Sequence, residues 1–443
     1  MPCWFRRLFV RVSGASGDIA GHDCGCRSAG RQHRRFGGRR TREEAGLFDR
    51  DGCHCGVVRS RRQGGEAVMT VLWEPASHFF PPERLDEFLV WAWRESASDV
   101  VFQEGAPALI EVDGRVRQAT GAALDGVVLG EIAERLYEGS AVGSLLSGGA
   151  VDCSHSVTLE RGRDIRFRCN LSPVQVRNGF AINATLRLLP GRPPELEKLG
   201  VEGEVSSALL DCVGLNLVTG VPGSGKSTLL AAATRRLLER GAGRIHSYEA
   251  PIEFTFDGIG LEHGSLMSSS EIPRHFGTFA DGLRSSLRRR PVAVLVGEAR
   301  DRQTVEAALA AADFGIAVYS TTHTIGVANT VRRMLAEFPE EQRDERGAAL
   351  VDVLHAVVTQ MLVENPKGGR TAIREWLVFD GRLKEQLLDM PRQAWPQRIA
   401  EALAATGNGL LGHAEAAAAE GRIGSRELAR IRASDGRRGS WGS

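Results

Sequence analysis

Residues Gly220-Val221-Pro222-Gly223-Ser224-Gly225-Lys226-Ser227 form a G-x-x-x-x-G-K-S loop between an apolar run, Leu215–Thr219, and a helix-forming stretch, Thr228–Glu239. No other segment constrains the fold as strongly, because the loop needs a buried strand before it and a helix N-terminus after it. The glycines let the backbone wrap a triphosphate, and the loop amides and first helical turn point at it. Lys226 would neutralise the β/γ oxygens and Ser227 would ligate Mg²⁺, with Val221, Pro222 and Thr228 completing the lining. An ordinary glycine-rich turn is the alternative, and the strand–loop–helix context argues against it. The chain has 56 basic residues, and only Lys198, Lys226, Lys367 and Lys384 are lysines. One of them stands where a compact ammonium is needed beside phosphates.

A length of 443 residues suggests two or three domains, and 42% hydrophobic content suits ordinary folded cores. A formal net charge of +1 gives no pull toward nucleic acid, so direct nucleic-acid binding is not expected. No apolar run approaches the roughly 18 residues of a membrane span. The stretch Val305–Tyr319 is broken by Asp313, so membrane association would be peripheral or through a partner.

Residues 1–68 read as a disordered basic leader or a mis-assigned start. The second is favoured, because ordered-looking sequence opens at Met69. Cys3, Cys24, Cys26, Cys53 and Cys55 lie in this stretch with His22 and His54. The Cys-x-Cys pairs are tighter than common zinc-finger spacing. Cys153, Cys169 and Cys212 read as small buried hydrophobes in a reduced, cytoplasmic setting.

Residues 69–190 read as an α+β domain. Leu85, Phe88, Leu89 and Trp93 share one face of a helix over Arg84–Glu95, and Asp113-Gly114 marks a hairpin. Strands are expected over Val151–Glu160, Ile165–Leu171 and Phe180–Leu189. Residues 191–195 form a Pro/Gly-rich linker. In residues 196–438 strands alternate with helices, which implies a parallel sheet covered on both faces. Val331–Arg398 reads as largely helical with a hairpin near Gly381, and residues 439–443 as a tail.

Hydrolysis also needs carboxylates. Val292–Val296 reads as a buried strand followed by Gly297-Glu298, which puts Glu298 at the sheet edge where ligands bind, placed to orient or deprotonate water. Glu249 and Glu253 follow the strand Arg244–Tyr248 and are candidates for water positioning and for Mg²⁺, reached through water. His323 follows the strand Ala317–Thr321 and could bond a γ-phosphate.

Together these segments resemble the PilT/GspE superfamily of type II/IV secretion ATPases. The shared order is phosphate loop, acidic box Glu249-Ala250-Pro251-Ile252-Glu253, Gly297-Glu298 and a histidine box over Gly315–Thr324 that holds His323. Ala97–Val100, Ile110–Gly114, Arg166–Asn170 and Leu186–Pro190 are similar to that family's PAS-like domain and arginine-bearing strands. Coverage runs from about Pro82 to Asp380. Glu-Ala-Pro-Ile-Glu-Phe, Gly-Glu-Ala-Arg-Asp and Arg374-Glu375-Trp376-Leu377-Val378-Phe379 are most similar to the DotB/TraJ-type ATPases of type IVB secretion and conjugation. Three positions depart from the family pattern: Ala250 stands for the aspartate of the acidic box, Val292 for an acid before the Gly-Glu strand, and Ile316 for the first histidine of its box.

The resemblance implies an α/β fold, with a RecA-like P-loop ATPase core and an amino-terminal α+β PAS-like domain. It implies ATP and Mg²⁺ as ligands and a cytoplasmic homo-hexamer held at the inner membrane by secretion or pilus machinery. Arg168, Arg177 and Arg187 are its candidate phosphate-binding arginines. The expected function is an ATPase that converts hydrolysis into domain motion, hinged near Leu188–Pro194, for type IVB secretion or conjugation. A pilus retraction or assembly motor, a low-turnover nucleotide switch and a DNA-handling ring are the alternatives.

Overall fold

The computed structural model describes residues 45–48, 54–63, 66–76, 79–137, 140–160, 163–176 and 179–439. Cys3, Cys24, Cys26, Cys53, His22 and Arg177 lie outside them. Strands β1 (Ala45–Phe48), β2 (His54–Gln63) and β3 (Glu66–Leu72) form an antiparallel sheet in that order. Among the described residues, contacts divide the chain into two units. One runs to Ala150 and includes Leu171–Leu186; the other joins Val151–Asn170 to the chain from Arg187 onward.

In the first unit an aromatic cluster forms the core. Trp73, Phe80, Phe88 and Phe102 meet at centroid distances of 5.2–5.5 Å, mostly edge to face. Helix α1 (Leu85–Arg94) buries Leu85, Phe88, Leu89 and Ala92, a helical stripe. Strands β4 (Asp99–Gln103), β5 (Pro107–Val112) and β6 (Arg115–Ala123) make an antiparallel meander. Asp113 and Gly114 turn between β5 and β6 with φ of 52° and 72°, the left-handed pair a two-residue hairpin requires. Asp125 caps helix α2 (Gly126–Leu136) by accepting from the Val128 amide at 2.8 Å, and the short α3 (Ala141–Leu146) follows. β7 (Val151–Glu160), β8 (Arg163–Val176) and β9 (Gly179–Leu189) follow in the chain, β7 and the start of β8 being counted in the second unit, and the six-stranded sheet order is β6-β5-β4-β9-β8-β7.

The second unit holds a seven-stranded sheet of β10 (Gly214–Thr219), β11 (Arg244–Glu249), β12 (Leu266–Glu271), β13 (Ala293–Val296), β14 (Ala317–Thr322), β15 (Leu354–Glu364) and β16 (Arg370–Val378). Its order is β12-β11-β13-β14-β10-β15-β16, parallel except for the antiparallel β15/β16 pair. Side chains alternate between two apolar layers. Leu215, Leu217, Val294, Val296 and Val318 pack with helices α6 (Phe279–Leu287), α7 (Arg302–Asp313), α8 (Val327–Ala336) and α9 (Arg343–Val353). Val218, Ile245, Ala293, Leu295 and Tyr319 face α4 (Gly203–Leu210) and α5 (Lys226–Glu239).

The segment read as largely helical is in part a hairpin. β15 and β16 turn at residues 365–369, and Gly381 instead opens α10 (Gly381–Leu388), capped by Asp380. Both strands are buried along most of their length, so they lack the apolar/polar alternation that marks a strand. The polar edge strand β12 likewise carried no sequence signal.

Helices α11 (Trp395–Thr406), α12 (Leu410–Ala419) and α13 (Ser425–Gly439) close the chain. Buried Glu375 of β16 accepts from the Val327 amide at 3.0 Å and the Leu410 amide at 3.5 Å, the first amides of α8 and α12. Glu375→Ala removes both acceptors and is expected to cost about 1–3 kcal/mol, read by denaturant unfolding. Among the described residues no helix is long and apolar enough to cross a membrane.

Candidate phosphate-binding and acidic site

The loop Gly220–Gly225 joins the buried end of β10 to the N-terminus of α5, at the edge where parallel strands end and ligands bind. Gly220 has φ of 141°, and a Cβ there would stand 2.2 Å from the Gln360 carbonyl oxygen, so no side chain fits. Gly225 caps the helix with φ of 81°. Val221, Pro222 and Gly223 are exposed, while Ser227 and Thr228 sit half-buried in the first helical turn.

Lys226 is buried. Its Nζ donates to the carbonyls of Gly220 at 2.8 Å and Val221 at 3.1 Å and lies 3.3 Å from His323 Nδ1. Burial lowers its pKa, while the charges of Glu298 and Glu253 oppose that shift. His323 Nε2 is 3.5 Å from Glu298 Oε1, so the imidazole bridges lysine and glutamate. Hydroxyl contacts from Thr322 to Thr324 and from Thr324 to Thr330 flank His323. The Thr321 hydroxyl donates to the Gly297 carbonyl at 2.5 Å, tying the ends of β13 and β14 together before Glu298.

Glu249 ends the neighbouring strand β11. Gly297 allows the close approach, since its amide donates to the Tyr248 carbonyl at 2.8 Å and a Cβ there would lie 3.3 Å from Glu249 Cα. Glu249 is buried; one oxygen faces the Glu253 amide at 3.5 Å and the other has no partner. Burial pushes its carboxyl up to about 7, and the Glu253 charge adds to that, while Ser247 and Arg166 pull the other way.

Of the three candidate arginines, Arg168 is exposed, 3.8 Å from Asp152, and Arg187 is exposed. Arg166, two residues earlier on β8, is half-buried, and its charge is felt by Glu271 and Glu249. Burial lowers its pKa, Glu271 and Glu249 raise it, and its Nη1 is buried without a partner. Pleat period alone makes Arg166 and Arg168 equivalent, and only their packing separates them.

Sequence reasoning also missed Gln360 and gave Arg374 no role. Gln360 Nε2 donates to the Ser224 carbonyl at 2.6 Å, and Arg374 Nε donates to Gln360 Oε1 at 2.7 Å. Both lie in buried runs where a polar residue was the available signal.

Of the three departures from the family pattern, Ala250 adjoins Glu249 at this edge, and Val292 and Ile316 lie at the opposite one. Val292 precedes β13 and Ile316 precedes β14; Ile316 packs in the core, and the Val292 carbonyl accepts from the Ala317 amide. At ~3.3 Å per residue, Ile316 lies about 23 Å from His323 along the strand.

Residues 152–430 match the family described as Type II/IV secretion system protein. The uncharacterized protein YggR of Escherichia coli K12 is 33% identical over 300 residues, covering 66% of this chain and 86% of YggR. The Legionella pneumophila ATPase DotB is 35% identical with a TM-score of 0.74, covering 80% of this chain and 96% of DotB. The pilus retraction motor PilT with bound ADP gives 29% and 0.66, covering 78% and 95%. These likenesses bear out the α/β architecture with a RecA-like core and an amino-terminal domain. On the strength of a family match over most of its length, this chain belongs to the Type II/IV secretion system protein family, within the PilT/GspE superfamily of ATPases and close to DotB.

Proposed function

We propose that the chain hydrolyses ATP as a homo-hexamer at the cytoplasmic face of the inner membrane, converting turnover into domain motion for type IVB secretion or conjugative transfer. The observation that carries the reading is the continuous contact Lys226–His323–Glu298 at the mouth of the phosphate loop.

The residues fit a magnesium–triphosphate complex. The N-terminus of α5, a buried Ser224 hydroxyl without a partner and the unpartnered Glu249 oxygen all leave polar groups to be met. The Ser227 hydroxyl would hold Mg²⁺, with Glu249 and Glu253 acting through water. The ion would supply charge neutralisation on the phosphates.

Lys226 exchanges its loop carbonyls for β/γ oxygens, and His323 is freed to bond the γ-phosphate. Glu298 orients the attacking water and accepts its proton; the P–O bond to ADP breaks as that to water forms, giving ADP and phosphate. Arg166 is this chain's own guanidinium beside the acidic set. The remoteness of Val292 and Ile316 from this edge argues against a low-turnover switch.

Lys226→Ala is expected to weaken nucleotide binding more than tenfold and bring phosphate release to background. A wild-type ring that releases no phosphate from Mg-ATP overturns the reading. Likeness to PilT supports a pilus motor as the second reading. A strain carrying only the Lys226→Ala chain separates the two: loss of plasmid transfer or secretion with twitching intact supports the first, and the converse supports the second.

A further inference from the structure

We propose that Gln360 and Arg374 are positioning residues that couple the phosphate loop to the segment Leu199–Glu202, so that bound nucleotide and that segment stabilise one another. The proposal rests on nucleotide binding at the loop, as read above.

Arg374 is among the largest fully buried side chains of the described residues. Its guanidinium donates to Gln360 Oε1 at 2.7 Å, Glu202 Oε2 at 2.9 Å, the Gly200 carbonyl at 3.2 Å and the Leu199 carbonyl at 3.4 Å. A guanidinium has donors only, so it dictates which end of the Gln360 amide faces it. The amide oxygen must turn to Arg374, and the amide nitrogen then faces the Ser224 carbonyl at 2.6 Å.

That hydrogen bond sets the loop. In a trans peptide the carbonyl and the next N–H point in opposite directions. Holding the Ser224 oxygen toward β15 therefore turns the Gly225 amide to the other side, where an anion-binding nest needs its donors. Glu202 supplies the charge that keeps the buried guanidinium in place, and losing one partner of such a pair is costly. The chain Glu202–Arg374–Gln360–Ser224 thus runs from the residues after the linker to the loop that would meet phosphate.

Coupling between sites is reciprocal. If nucleotide firms Leu199–Glu202, weakening Glu202 must weaken nucleotide binding, although Glu202 makes no contact with the loop in this chain of bonds. The test is titration of the full chain with a fluorescent N-methylanthraniloyl ADP and Mg²⁺, together with amide hydrogen exchange over residues 196–202. Glu202→Gln is expected to raise Kd three- to tenfold, and Gln360→Leu tenfold or more. In the wild type nucleotide should slow exchange over 196–202, and in Gln360→Leu that effect should vanish. Arg374→Lys keeps the charge but cannot fork, and should fall between them.

If Glu202→Gln binds nucleotide as tightly as wild type, whether or not it melts earlier, the contacts are structural only and the coupling is overturned. If the wild type binds nucleotide but exchange over 196–202 does not respond, the coupling likewise fails and the proposed function stands. A wild-type chain that binds no nucleotide removes both.

Discussion

Glu298→Gln is expected to lower ATP turnover about 10²–10⁴-fold while leaving ADP affinity within about threefold, the range that loss of a general base produces. The amide has the shape of the carboxylate but cannot accept water's proton. Glu298 lies in contact with His323 rather than Lys226, so the ammonium keeps its place in the loop. Phosphate release under saturating Mg-ATP, set beside fluorescent-nucleotide titration, separates chemistry from binding. A variant retaining more than a tenth of wild-type turnover assigns the base elsewhere, with Glu249 the next carboxylate along the sheet edge.

Glu249→Gln is expected to stabilise the nucleotide-free chain and still abolish most turnover. The carboxyl is buried and pushed up to about 7 from an ordinary value of 4.5. A raised folded-state value means that the protonated form is favoured in the native state. The associated stability is complete below about pH 4.5 and is lost as pH rises through about 7. Above that range the native state carries a buried anion, at a cost on the order of 3 kcal/mol. Glutamine removes the charge, so thermal melting at pH 8 should rise by several degrees while melting at pH 4.5 changes little. Equal melting of the two proteins at both pH values would show that water or Arg166 already compensates the anion. Stability gained with activity lost is the pattern expected of a group held in an unfavourable environment for function.

The phosphate loop, the Gly-Glu strand end and the histidine segment were legible because each sits on a chemically demanding pattern beside an apolar run. The packing of Glu298 against His323 follows from parallel-strand geometry, which places successive strand ends along one edge. Arg166 was not separable from Arg168, since both lie on one face of β8 and no spacing shows which is covered. Gln360 and Arg374 were hidden for a different reason. Their partners come from Ser224 and from Leu199–Glu202, more than 130 residues away in sequence. The β15/β16 hairpin escaped because burial of both faces removes the periodic signal.

That hairpin has a consequence for how the molecule becomes competent. Arg374 and Trp376 reach Glu202 and Glu204 on one side of β16, while Glu375 between them holds the starts of α8 and α12 on the other. Sliding the pairing by a single residue would exchange the two sides. The guanidinium would lose its path to Gln360, and two helices would lose their acceptor in the same event. Correct alignment of one late pair of strands therefore settles both the seating of the carboxy-terminal helices and the readiness of the triphosphate cradle, and a misaligned chain would fail at both together.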